Sequence, residues 1–301
     1  MADLVGKISA RTYYDYFPPA PHAPGDIWMH LPTHGLLRRE RCSAIVVTPS
    51  CDLSNRKVNT ITYLPIIACR EWMASREFNG EIIGAMLSLI DQLGPVGISN
   101  GSALEGPETF SSGLADQVVQ LRETLKDQDL NKSLRGAVQR YVAGANHLKR
   151  VCDGETIDVR DIETCLSKRR WSQIRMHIVT NAFRQDLYFL PADGNDDVDI
   201  SPVNQHSVVL FRCPLTVPVS VLDTAQDMSM DDWASATKLL SKEDPMAPAF
   251  ADKRPLKALR LQNRFLADLL TKFVALYSRL GSPDFTRATI ETLSEELGAF
   301  E

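Results

Sequence analysis

The sequence predicts an α+β protein: two separated β-rich blocks close one small, strongly bent barrel, a helical segment interrupts it, and a helical tail follows. Three observations carry this expectation. Residues 25–32, 44–53 and 59–66 read as β-branched runs separated by turn and polar residues. After Arg70 the apolar residues Phe78, Ile82, Ile83, Met86, Leu87 and Ile90 recur at a spacing near the helical period of about 3.6. β character then returns at 176–179, 186–191, 207–211 and 216–222.

Taken in order, residues 11–25 hold Tyr13, Tyr14, Tyr16, Phe17, Pro18, Pro19, Pro21 and Pro24, a composition that excludes a helix interior. It suits an extended arm packed on the barrel, so residues 1–69 are read as the arm and the first part of the barrel. Residues 71–93 form a helix ended by Gly94 and Pro95, and 114–125 and 134–148 resume helical periodicity, which makes 70–174 a helical insertion. Residues 175–225 supply the second part of the barrel, with an acidic loop containing Gly and Pro at 192–204. In the tail, 226–301, Leu266, Leu269, Leu270, Phe273, Leu276, Tyr277 and Leu280 form an apolar stripe, Gly281 and Pro283 stop that helix, and 286–297 makes a second, shorter one. The stripe reads as core, or as a docking or homodimer surface if uncovered.

At 301 residues and 44% hydrophobic content, the chain can bury one substantial core or two modest ones. A formal net charge of -5 argues against loose wrapping of nucleic acid, which needs a surplus of Lys and Arg, so any such contact must be local. Cysteines at 42, 51, 69, 152, 165 and 213 form no C-x-x-C pair and have no histidine at finger spacing, so neither a zinc site nor any other metal or cofactor is expected. No run of 18 apolar residues occurs and the N-terminus lacks the apolar centre of a signal peptide; the expectation is a cytoplasmic protein with reduced thiols and no membrane contact.

Candidate site residues follow from position. Cys51 and Asp52 end an apolar run and are expected at the barrel rim, near Arg56, Lys57 and the basic segment Arg38, Arg39 and Arg41. One reading is a thiolate in a binding rim; the other is a small buried Cys51 with Asp52 capping backbone N–H groups from Ser54 onward. His34 is placed to face Cys51 across two strands, although no third orienting residue accompanies the pair. Lys168, Arg169, Arg170 and Trp171, followed by Arg175 and His177, form the densest basic patch and include a ring able to stack on a base. The alternative is a solvated face paired with the acidic loop at 193–199, whose Asp193, Asp196, Asp197 and Asp199 miss the spacing of a calcium loop.

Gly25-Asp26-Ile27-Trp28, the Pro32-x-x-Gly35 turn, the arginines at 38, 39 and 41, and the strands ending Val46-Val47-Thr48 and Leu64-Pro65-Ile66 resemble the opening of the MazF/PemK family, over roughly residues 24–68. The resemblance implies an SH3-like barrel and metal-independent cleavage of single-stranded RNA, with Arg41 near the family's arginine position. The hydroxyl residue that ends the family's third strand is missing, since that strand ends Pro65-Ile66-Ile67; Asp52 or His34 would have to replace it.

Over more of the chain, Thr48-Pro49-Ser50-Cys51-Asp52-Leu53, Leu187-Tyr188-Phe189-Leu190-Pro191 and Arg279-Leu280-Gly281-Ser282-Pro283 resemble an uncharacterised bacterial family found near phage-defence genes, with a T-x-x-C-D-[IL] motif. That resemblance implies a cytosolic accessory or sensor protein. The expected function is therefore non-catalytic binding or sensing in a phage-defence or toxin-type system. The rim residues Cys51, Asp52, Arg38, Arg39 and Lys57, with the patch at 168–171, would hold a protein partner from the same operon or a nucleic acid. The alternative is an endoribonuclease acting on single-stranded RNA through Arg41, Asp52 and His34.

Overall fold

The computed structural model describes residues 12–36, 39–98, 101–104, 110–127, 129–155, 157–195, 200–227, 232–278, 286–289 and 291–292. Its strands are β1 (Tyr14–Tyr16), β2 (Asp26–Pro32), β3 (Arg41–Val46), β4 (Thr60–Ala68), β5 (Leu187–Leu190), β6 (Ser207–Leu210), β7 (Leu215–Pro218) and β8 (Leu256–Leu261). Short helices α1 (Ser50–Ser54) and α2 (Cys69–Met73) flank β4. A helical block follows: α3 (Asn79–Leu87), α4 (Ile90–Leu93), α5 (Ser112–Thr124), α6 (Lys132–Asp153), α7 (Val159–Cys165) and α8 (Lys168–Val179). After β7 come α9 (Val219–Asp227) and α10 (Trp233–Leu240), and α11 (Asn263–Tyr277) follows β8.

The protein is α+β, and its strands form one antiparallel sheet in the order β1-β8-β2-β3-β4-β6-β5, with β7 pairing the first half of β4. The sheet is open: β1 and β5 are its edges, so the closed barrel expected from the β-rich runs is not formed. The two sequence-distant blocks do meet, because β4 pairs β7 along Thr60–Tyr63 and β6 along Ile66–Ala68. Pro65, which has no N–H to give, falls where β4 passes from one neighbour to the other.

Alternation along the strands sends side chains to two cores. Leu187, Phe189, Val208 and Leu210 join Trp28, Tyr63 and the helical block on one face. Tyr188, Leu190, Val209 and Phe211 join Ile27, Leu64, Leu259 and Leu261 on the other, where Leu266 and Leu269 of α11 cover them. Within the helical block, α6 packs against α3 at Gly144, where a Cβ would lie 2.7 Å from Met86 Sδ and 2.8 Å from Met86 Cγ. Glycine is thus what permits the close approach.

Three secondary-structure expectations are corrected. Residues 176–179 are not a strand but the end of α8, since Ser167 caps the Arg170 N–H and Trp171, Ile174 and Ile178 bury one helical face. The run at 216–222 turns from strand to helix at Val219, where α9 begins. The segment read as a helical tail contributes β8, which lies between β1 and β2. The second tail helix, expected over 286–297, lies mostly outside the described residues.

Two register shifts shape β2. Trp28 pairs Ala44 whereas Leu31 pairs Cys42, so one extra residue bulges out, and His30 there has φ 64. On the other side Ile27 pairs Leu259 and Trp28 pairs Lys257, which puts the Lys257 ammonium 5.6 Å from the Trp28 ring on the helical face of the sheet.

Candidate functional site: a polar cleft at one end of the sheet

The arm before β2 is held by a buried charge cluster. Asp26 is fully buried; its Oδ1 accepts from Arg260 Nε at 2.6 Å and its Oδ2 accepts from the Ala23 N–H at 2.9 Å and lies 3.3 Å from Lys257 Nζ. Lys257 also donates to the carbonyls of Pro19, Ala20 and Pro21, at 2.9, 2.8 and 3.2 Å. Burial holds the Lys257 ammonium below the usual lysine range, and the Asp26 carboxylate opposes that shift. This cluster fixes a proline-rich segment that has no regular structure of its own.

The arm thereby presents Pro21 and His22 to a cleft of about 570 Å³. Opposite them lie Leu53 and Ser54 of α1, with Arg56, Val58 and Asn59 of the link to β4. Val219, Ser220 and Asp223 of α9 and Asp244 after α10 complete the walls. The Val219 N–H donates to the Asn59 carbonyl at 2.9 Å and so ties the start of α9 to the approach to β4. Arg56 occupies the left-handed region at φ 49, which turns the chain back after α1, and the Lys57 N–H donates to the Asp52 carbonyl at 3.0 Å.

His22 Nε2 donates to Asp223 Oδ1 at 2.9 Å, a contact between residues 201 positions apart. Its imidazole is 9% exposed and lies 5.6 Å from the Trp28 ring, while Nδ1 is buried without a partner among the described residues. Oδ1 of Asp223 is thus engaged. Asp244 Oδ1 accepts from the Met246 N–H at 2.9 Å while its Oδ2 has no partner among the described residues, where the Arg56 guanidinium likewise makes no hydrogen bond or ion pair. The cleft therefore carries one uncommitted cation and two uncommitted carboxylate oxygens, Oδ2 of Asp223 and Oδ2 of Asp244, among the described residues.

The residues named from the sequence are not gathered in one place. Arg41 opens β3 and Cys51 lies past its end, so the strand separates them by about 16 Å at ~3.3 Å per residue. His34 is exposed in the β2–β3 turn, at the Arg41 end, and so does not face Cys51 as expected. Arg41 is instead locked in a clamp: Nη1 donates to the His30 carbonyl at 2.7 Å, Nη2 to the Ala249 carbonyl at 2.8 Å and Nε to Asp252 Oδ2 at 3.0 Å. Burial draws its pKa down. Arg39 pairs with Glu71 beside a separate cleft of about 520 Å³, and Arg38 lies outside the described residues.

Cys51 is exposed, not buried, with Sγ 3.5 Å from Asp52 Oδ1, and Lys57 is exposed. They stand on the same connection that supplies Leu53 and Arg56 to the polar cleft. Lys168 and Arg169 are exposed on the first turn of α8, and Arg170 pairs with Glu81 at 2.5 Å. Of that loop, Asp193 is buried against Ser201 Oγ at 2.5 Å, and Asp196, Asp197 and Asp199 lie outside the described residues. Trp171 is corrected as a stacking residue: it is 4% exposed and covered by the Arg175 guanidinium at 5.4 Å.

Burial pushes the thiols of Cys42, Cys69 and Cys165 up to about 12, so they remain protonated. Among the described residues no group of three His, Cys, Asp or Glu side chains is arranged to hold a metal ion, and no helix is long and apolar enough to cross a membrane. Comparison with protein-family models, curated proteins and solved structures finds no match to this chain.

His22, Asp223 and Asp244 were not singled out from the sequence. The one local signal was a histidine inside a rigid Pro-rich run; the other two are ordinary acidic residues, Asp223 in α9 and Asp244 in the loop after α10.

Proposed function

We propose that the protein is a non-catalytic binding or sensing module that takes its ligand in the cleft between the arm, α1 and α9. The observation that carries this reading is the convergence of four separate stretches of chain on one polar cleft, whose histidine is held by a carboxylate and whose remaining charges are uncommitted. Recognition sites have this form, with apolar walls and a few placed polar groups. The nuclease alternative has no such support. Arg41, the group it needs for developing charge, spends its donors on protein oxygens, and Asp52, one of the two candidate bases, lies past the far end of β3.

A thermal-shift screen of nucleotides, short single-stranded RNA and short peptides tests the proposal, run on the natural sequence and on Ser220→Trp. Ser220 is exposed on the cleft wall, so the indole fills the cleft without entering the core. At least one class is expected to raise the melting temperature of the natural protein and to lose that effect in the variant, with no chemical change in the ligand. Binding that ignores the filled cleft, or metal-free cutting of the RNA, overturns the proposal.

A further inference from the structure

Resting on that reading of the cleft, we infer that its ligand is a short zwitterionic peptide with free ends and an apolar side chain. Two opposite charges line one cleft and do not pair with each other: no ion pair within 4.0 Å joins Arg56 to Asp244 among the described residues. Their neighbours do not neutralise them either. Asp223 gives only its Oδ1 to His22 and Asp244 only its Oδ1 to the Met246 N–H, so the two carboxylates each keep Oδ2 as an acceptor for a cation, among the described residues. Arg56 is the donor fork left for a carboxylate, the anion whose planar geometry a guanidinium matches.

A simple anion would meet Arg56 but also two carboxylates, and a simple cation would meet Asp244 but also the guanidinium. A molecule with an ammonium and a carboxylate satisfies both. The same cleft is also lined by Leu53, Val58 and Val219, which give a side chain such as leucine's a place to leave water. At about 570 Å³ the cleft lies within the range that encloses drug-sized ligands, larger than an ion and far smaller than a folded partner. A dipeptide or tripeptide fits that size, and its termini lie far enough apart to engage two walls.

The test is calorimetric titration with leucyl-leucine, its N-acetylated form and its C-amidated form. Blocking either end is expected to weaken binding about tenfold or more, the usual scale for a lost charge-assisted hydrogen bond. Asp244→Asn keeps the oxygen that accepts the Met246 N–H, and Arg56→Gln keeps side-chain length. Asp244→Asn should weaken the free dipeptide by a similar factor yet leave the N-acetylated form unchanged, and Arg56→Gln should do the same for the amidated form. Circular dichroism melts of both variants confirm that they fold. Affinity indifferent to end-blocking, or variants that weaken blocked and free peptides alike, overturns the inference. If a nucleotide or RNA binds and is excluded by Ser220→Trp while dipeptides do not bind, the cleft proposal stands and only the zwitterion falls.

Discussion

His147 shows how one side chain can set the acid response of the fold. It is 2% exposed on α6 and neither ring nitrogen has a partner among the described residues. Burial pushes its pKa down to about 4; the Arg150 guanidinium adds to the shift and Asp161 opposes it. In the unfolded chain the imidazole titrates near 6.5, so above that value both states are neutral and the full stability is present. As pH falls from 6.5 towards about 4, the unfolded chain takes up a proton that the folded chain refuses, and about 3 kcal/mol is lost across that window. His147→Leu removes the titration and the two unpaired nitrogens together. Urea denaturation should find the variant at least as stable near pH 7 and ahead by about 3 kcal/mol more near pH 4. A gap that does not change with pH would show that the imidazole is solvated.

At the scale of elements, the clamp made by Arg41 joins the bulge of β2 to the segment before β8. Both carbonyls it serves, of His30 and Ala249, are set by irregular backbone, the bulge in one case and a 3-10 turn in the other. Arg41→Ala leaves them without that donor, and the expected cost is roughly 2 kcal/mol by denaturation, discounted for the exposed Asp252. Arg41→Lys should recover only part, since an ammonium cannot serve three directions as a guanidinium fork does. The same scale shows which elements were legible. β2, β3, β4, β5 and β6 announce themselves through β-branched and aromatic runs that the sheet buries on both faces. The His177-Ile178-Val179 run misleads because Trp171, Ile174 and Ile178 follow the helical period over a longer window. β8 reads Leu-Lys-Ala-Leu-Arg-Leu, all good helix formers, and becomes a strand only because β1 and β2 offer it backbone partners on both sides.

On the scale of the whole molecule, the candidate site was hidden for the same reason that β8 was: its parts are far apart in sequence. His22 meets Asp223 across 201 positions, and Asp26 meets Arg260 across 234, distances over which no motif extends. Residues 14–26 and 256–261 build the arm and the sheet region beside it together. A chain stopped at residue 255 takes away β8 and α11, and with them Leu259, Leu261, Leu266 and Leu269 from one core. It strands β1, which among the described residues pairs only with β8, and bares the edge of β2. It also leaves the fully buried Asp26 carboxylate without Lys257 and Arg260, and losing one partner of such a group already costs several kcal/mol. These losses together match the whole stability of an ordinary domain, roughly 5–15 kcal/mol. The truncated chain is therefore expected to show no cooperative melting transition and to aggregate, followed by calorimetry and light scattering. A cooperative melt with an unchanged denaturant slope would mean that β1 to β7 fold without the last strand, and that the charge cluster around Asp26 forms late and independently.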